Sequence, residues 1–288
     1  MRMRGWLVWV MVAGVAGAQQ AGGGAGPGSV PGIDGPLVCP VTAAKEPAAN
    51  AAETARAAAL PRPTVESARK TAEMEAADPT VLVAAEPMEN FGVARYRVRD
   101  YGECMGNEGC YWKDMDAQFK RAEAALTADL AKHGKGEKLA LVLDIDETTL
   151  SSYCELKRED YGYVSEMFNA WVVTPEAAMG IPGTLRLFKQ AKAAGLAVFF
   201  LSGRPEEQRA ATERNLRAAG YEGWAGVLLR DAEEKKMATG LYKASERRKL
   251  VAAGYILAMS VGDQWSDLTG EPKAEVSVKV PNPFGYLP

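Results

Sequence analysis

Leu139-Ala140-Leu141-Val142-Leu143-Asp144-Ile145-Asp146-Glu147-Thr148-Thr149-Leu150 is the stretch from which the fold is read. Its five leading apolar residues predict a strand buried on both faces of a parallel sheet. The run then stops in acid, at Asp144, Asp146 and Glu147. In open α/β sheets ligands bind beyond the carboxyl ends of strands, and residues i and i+2 of an extended chain point the same way. Asp144 and Asp146 are therefore placed to divide labour: one carboxylate attacks as a nucleophile, while the other moves a proton or helps hold a hard cation through its backbone. A lone pair of aspartates at this spacing is also an ordinary acidic turn, so the remainder of the chain decides.

Downstream, Pro182-Gly183 precedes a predicted helix over 184–194, with Leu185, Phe188 and Ala191 inward and Gly195 as its stop. A second buried strand over 196–201 runs into Ser202-Gly203-Arg204-Pro205 and a charged helix over 206–219. A hydroxyl and a glycine delivered to a helix start make an anion site, because free N–H groups and the helix dipole both favour negative charge. Residues 225–229 read as a third strand and 245–253 as a helix, with Lys243 just ahead of it. A fourth strand over 255–261 ends again in acid, Gly262-Asp263-Gln264-Trp265-Ser266-Asp267. Four residues apart where a strand rolls into a turn, Asp263 would reach a metal with Asp267 behind it. A short strand over 277–280 follows. The alternation predicts a parallel sheet with right-handed crossovers, with polar chemistry at one end of three strands.

Upstream, Phe119, Ala122, Leu126 and Leu130 recur at helical spacing over 115–133, with Gly134 and Gly136 beyond. His133, the one histidine, is expected as a solvated cation at that helix's end. Tyr161, Tyr163, Phe168 and Trp171, with Trp265 after the fourth strand, are candidates to wall a substrate pocket or simply to pack against one another.

The 288 residues carry a formal charge of −3 and a pI near 5.5, which argues against a nucleic-acid-polymer partner. Residues 1–18 read as an export signal: Arg2 and Arg4, an apolar core from Trp6 to Val15 too short to span a bilayer, and Ala16-Gly17-Ala18 before the cut. No later run is long enough to span, so an exported protein, periplasmic or secreted, is expected. Residues 19–78 are Ala-, Gly- and Pro-rich and predict a mostly disordered tether, with one short helix over 48–59 and order beginning near 80–86. Residues 79–288 are expected to form the folded domain. Export permits disulfides; four cysteines allow three full pairings, and Cys104 with Cys110 is favoured by the short flexible loop between them. One histidine and no C-x5-R run exclude histidine-nucleophile, His-rich dinuclear and cysteine-nucleophile phosphoryl transfer.

Taken in order, these segments resemble the haloacid dehalogenase (HAD) superfamily, and within it subfamily IIIB, the exported class B acid phosphatases and their plant storage-protein-like relatives. Asp144-Ile145-Asp146-Glu147-Thr148 is similar to the family's first motif, Ser202 to the second, Lys243 to the third, and Gly262-Asp263 with Asp267 to the fourth. The resemblance spans about residues 87–286. It implies a Rossmannoid α/β three-layer sandwich with a parallel central sheet, small helical or aromatic cap elements and an N-terminal helical extension. It also implies Asp144 as nucleophile, Asp146 as general acid and base, and phosphate held by Ser202, Gly203 and Lys243. Mg2+ would rest on the Asp144 and Asp263 carboxylates and the Asp146 carbonyl, with Asp267 behind. The implied reaction is hydrolysis of small-molecule phosphate monoesters through a phospho-aspartate, with an acidic optimum. A homodimer is the one assembly entertained. Ser152 departs from the pattern, which has Asn there. Two alternatives stand beside this reading: a HAD phosphotransferase, in which an alcohol intercepts the phosphoenzyme, and a non-catalytic storage or binding protein on the same fold, against which the presence of Asp144 counts.

Overall fold

The computed structural model of the protein describes Cys39, residues 64–80, Leu82 and residues 88–286. The expected signal (1–18), the expected helix over 48–59 and most of the expected tether lie outside the described residues. Among those described, no helix is long and apolar enough to cross a membrane.

Five parallel strands form the sheet: β1 (Leu139–Leu143), β2 (Ala197–Pro205), β3 (Gly226–Arg230), β4 (Ile256–Gly262) and β5 (Val276–Lys279), in the order β3-β2-β1-β4-β5. The first strand lies in the middle because successive crossovers run outward from it to β3, then jump back to its other side. That reversal opens a crevice at the carboxyl ends of β1 and β4.

Alternation along β1 divides the core. Leu141 and Leu143 belong to a large cluster with Met115, Phe119 and Leu126 of α3 (Tyr111–Leu130) and Leu187 and Phe188 of α6 (Pro182–Ala193). Ala140 and Val142 belong to the opposite cluster, with Tyr242 and Leu250 of α8 (Thr239–Ala252). Helices therefore cover both faces, as a continuous apolar strand requires. Each fully buried Leu or Phe here contributes about 1.5–3 kcal/mol.

Three expectations are corrected. Order begins before residue 80: α1 (Val65–Ala76) forms within the segment read as tether. Thr64 and Ser67 cap it reciprocally, each backbone N–H donating to the other's hydroxyl, and Lys70 pairs with Glu66 one turn away. The Ala, Glu, Lys and Met content of α1 favours helix, and the Gly and Pro runs that suggested disorder lie upstream of it. Lys243 lies inside α8, which starts six residues earlier than the apolar spacing indicated, because Tyr242, ahead of Ser245, already packs into the core beside the later Leu250. His133 is not solvated: its side chain is 9% exposed and sits among carboxylates.

The other α-helices among the described residues are α2 (Phe91–Gly102), α4 (Tyr153–Arg158), α5 (Ser165–Trp171) and α7 (Arg209–Ala218). Two disulfides join Cys104 to Cys110 and Cys39 to Cys154, the second tying Cys39 to α4.

Candidate active site

Register in the sheet assembles the site. Leu143 of β1 lies opposite Phe200 of β2 and Val261 of β4, so the residues just beyond these three converge. The Asp144 N–H still bonds to the Val261 carbonyl at 3.0 Å, which fixes the carboxylate beside Asp263. Gly262 lets the next turn fold back, since a Cβ there would overlap the Asp267 carboxylate.

Asp144, Asp263 and Asp267 are all buried, and their carboxylate oxygens cluster within 4.8 Å of one another. Lys243 Nζ donates to Asp144 Oδ1 at 2.6 Å and also to Asp267. The second Asp267 oxygen accepts from the Gln264 backbone at 2.8 Å. Asp263 accepts from Thr148 Oγ1 at 3.2 Å and, at Oδ2, from Gln264 Nε2 and Asn282 Nδ2, both at 2.6 Å. Burial first, and repulsion from Asp267 second, push the Asp144 and Asp263 carboxyls above their ordinary range. Burial opposes the charge on Lys243, but Asp144 and Asp267 outweigh it and hold the ammonium firmly protonated.

One cation against three buried carboxylates leaves an uncompensated negative charge in a low-dielectric pocket. An all-oxygen donor set of this kind suits a hard divalent cation. Asp144, Asp263 and Asp267 all lie close enough to share such an ion, and each already accepts hydrogen bonds from the surrounding residues.

The β2 end supplies the opposite wall. Ser202 is buried, its hydroxyl accepting from the Arg204 N–H at 3.1 Å, and Gly203 lines the cleft. Arg204 was not singled out from the sequence, although it follows Ser202-Gly203 directly. Its buried guanidinium grips Asp146 through Nε at 3.0 Å and Nη2 at 2.6 Å, while Nη1 donates to Thr212 Oγ1 at 3.1 Å. Such a fork fixes a carboxylate in direction as well as position.

Glu147 takes a left-handed backbone conformation at φ 56°, which turns the chain after Asp146 and buries its side chain. Ser152, the departure noted above, donates to it from both backbone and hydroxyl. Burial, with Asp146 and Asp263 nearby, pushes the Glu147 carboxyl up to about 8. Thr148, Glu147, Gln264 and Asn282 thus support the site without having been assigned a role from sequence; their partners are up to 115 positions away.

A cleft of about 390 Å³ opens over Asp144, Asp146, Ser202, Gly203, Lys243 and Asp263. Tyr163 and Phe168 line it, joined by Tyr286. Tyr161, Trp171 and Trp265 do not. Tyr161 stacks on Phe284, Trp171 packs with Val172 and Ala177 in a satellite cluster, and Trp265 points to solvent. Aromatic composition marked the region, while backbone direction decided which rings face inward.

The chain has relatives among known proteins. Residues 63–288 match the family model of HAD superfamily, subfamily IIIB (Acid phosphatase). The chain is 35% identical over 164 residues to the stem 28 kDa glycoprotein of Glycine max, covering 55% of this chain and 63% of that one. It is 33% identical over 169 residues to acid phosphatase 1 of Solanum lycopersicum (57% and 64%) and 32% identical over 152 residues to vegetative storage protein 1 of Arabidopsis thaliana (51% and 55%). The chain thus spans less than two thirds of the length of these curated relatives. The class C acid phosphatase from Bacillus anthracis superposes with a TM-score of 0.52 at 22% identity, over 68% of this chain and 87% of that one, and so shares its fold.

Proposed function

The chain belongs to HAD superfamily subfamily IIIB, the acid phosphatase family, and from that membership we propose that it is an exported, Mg2+-dependent phosphatase hydrolysing small phosphate monoesters through a phospho-aspartate at Asp144. The observation that carries this reading is the buried Asp144 with one oxygen held by Lys243 and its cleft shared with Ser202 and Gly203.

Lys243 engages Asp144 Oδ1, which leaves Oδ2 to attack phosphorus. Mg2+ on Asp144, Asp263 and the Asp146 carbonyl would cancel the repulsion between carboxylate and phosphate dianion. Ser202 and the Gly203 N–H donate to phosphoryl oxygens as charge develops, and Lys243 balances it. Asp146, aimed by Arg204, gives its proton to the departing alkoxide as the P–O bond breaks. It then takes a proton from water, whose oxygen attacks phosphorus, releasing phosphate and restoring Asp144. An acidic optimum belongs to the same reading. Export is supported by the residues 1–18 pattern and by two disulfides, which persist in oxidising compartments.

The names of relatives such as vegetative storage protein 1 favour one other reading, a non-catalytic protein on this fold. The same experiment separates the two: phosphate release from nucleotides, sugar phosphates and an aryl phosphate, in magnesium and in chelator, by wild type and Asp144→Asn. Release that requires magnesium and Asp144 supports the enzyme; folded, metal-loaded protein that releases nothing supports storage.

A further inference from the structure

A second cluster of potential ligands lies at the opposite end of the sheet. Asp129 sits in the last turn of α3, His133 follows that helix, Glu137 lies in the turn before β1, and Glu275 immediately precedes β5. The Glu275 N–H bonds to the Leu257 carbonyl near the start of β4, which places the group at the amino ends of the strands. Five residues of β1 at about 3.3 Å each separate that end from Asp144, roughly 16 Å.

Three features of the group call for a cation. Asp129 is fully buried at a helix carboxyl terminus, where the helix dipole disfavours an anion. Its Oδ1 accepts from Lys132 Nζ at 2.8 Å, but its Oδ2 is buried and accepts no hydrogen bond, facing His133 Nε2 at 3.6 Å. Glu275 Oε2 approaches the same Nε2 at 3.0 Å, and the three ligand atoms lie within 4.8 Å of one another. On the other side of the ring, Nδ1 meets Glu137 Oε2 at 2.7 Å. A carboxylate accepting the Nδ1 proton is the partner that commonly orients a metal-bound imidazole and directs its Nε2 lone pair at the ion.

We propose that Asp129, His133 and Glu275 form a binding site for a divalent transition cation of the zinc class, oriented by Glu137 and separate from the cleft. Metal–ligand bonds of about 2.0–2.2 Å in a tetrahedron separate neighbouring ligand atoms by about 3.3–3.6 Å, and the observed 3.6 and 3.0 Å lie at and just below that spacing. One imidazole with two carboxylates leaves a fourth position for water. The mixed N/O set also differs from the all-oxygen site at Asp144, so a borderline cation and magnesium would sort between them. An ion here would clamp the end of α3 to the edge of the sheet beside β5. Without it, hydrogen bonds to Glu137 and then Glu275 outweigh burial and favour a proton on His133, which takes the same charge-balancing role.

The test is Zn2+ titration of chelator-treated full-length protein by calorimetry in excess magnesium, using wild type, His133→Gln and Glu275→Gln, with circular dichroism to establish folding. Co2+ is added in parallel, because a four-coordinate site gives intense visible absorption. The expected result is one Zn2+ equivalent in wild type, bound at least tenfold more weakly in each variant, with the Co2+ absorption lost in both. Equal Zn2+ stoichiometry and affinity in wild type and folded variants, or an unchanged Co2+ spectrum, overturns the proposal and leaves His133 as a protonated partner of its carboxylates. If His133→Gln fails to fold, Glu275→Gln, which alters a side chain 43% exposed, decides by the same readouts.

Discussion

The Lys243 ammonium donates to Asp144 Oδ1 at 2.6 Å and, from the same buried position, to Asp267, so a single cation serves two of three clustered carboxylates. Lys243→Met keeps most of the stem and removes the charge. Leaving buried carboxylates unpaired typically costs about 3–5 kcal/mol. Urea unfolding in chelator is expected to report a loss of that size, and magnesium to restore part of it. Unchanged unfolding in the variant would contradict the charge balance argued here.

Asp146 is held by two guanidinium nitrogens of Arg204. Arg204→Lys keeps a positive charge but cannot form the fork. Loss of orientation at a reacting group is worth up to about 10²-fold in rate. Steady-state kinetics are expected to show kcat lowered by about that factor with KM changed only a few-fold.

The two disulfides close loops of very different size, with sequence separations of 115 and 6. On a chain-entropy argument, replacing Cys39 and Cys154 by Ser is expected to remove about 5 kcal/mol of stability, and replacing Cys104 and Cys110 about 2 kcal/mol. Urea midpoints of the two double variants, measured side by side, check the order.

Asp116 of α3 bridges to Arg186 of α6 at 2.7 Å and to Lys120 at 2.8 Å. Burial pushes its carboxyl up, but the two cations outweigh burial and hold it below the ordinary value. A depressed folded-state pKa adds stability above the unfolded value, lost as pH falls through the folded one. Asp116→Asn is therefore expected to be less stable than wild type at neutral pH, by no more than about 1 kcal/mol given solvent screening. The two should converge below the carboxylate range, as thermal unfolding across pH would show.

How far the sequence could be read follows from the range of each signal. The apolar run of β1 and the acids after it are local, and strand and site appear where the spacing puts them. Ser202 and Asp263 were legible for the same reason, Asp263 following β4 directly and Ser202 standing in the last half of β2 after its apolar run. Arg204 was in view yet uninterpreted, because its role depends on Asp146, 58 residues earlier. Asn282 and Thr148 reach Asp263 only through the folded sheet. The pairing of Cys39 with Cys154 is likewise a tertiary fact, and no local spacing distinguishes it. Among the aromatics, Tyr161 and Tyr163 are two apart, yet Tyr161 turns onto Phe284 and only Tyr163 faces the cleft.

The most direct test of the central claim is the rate of phosphate release from an aryl phosphate by Asp144→Asn, beside wild type, in magnesium and with folding verified for both. Removal of the attacking carboxylate is expected to lower turnover by at least ~10⁴-fold, the order seen when a covalent nucleophile is deleted. A folded Asp144→Asn protein that releases phosphate at close to the wild-type rate would show that this carboxylate is not the nucleophile.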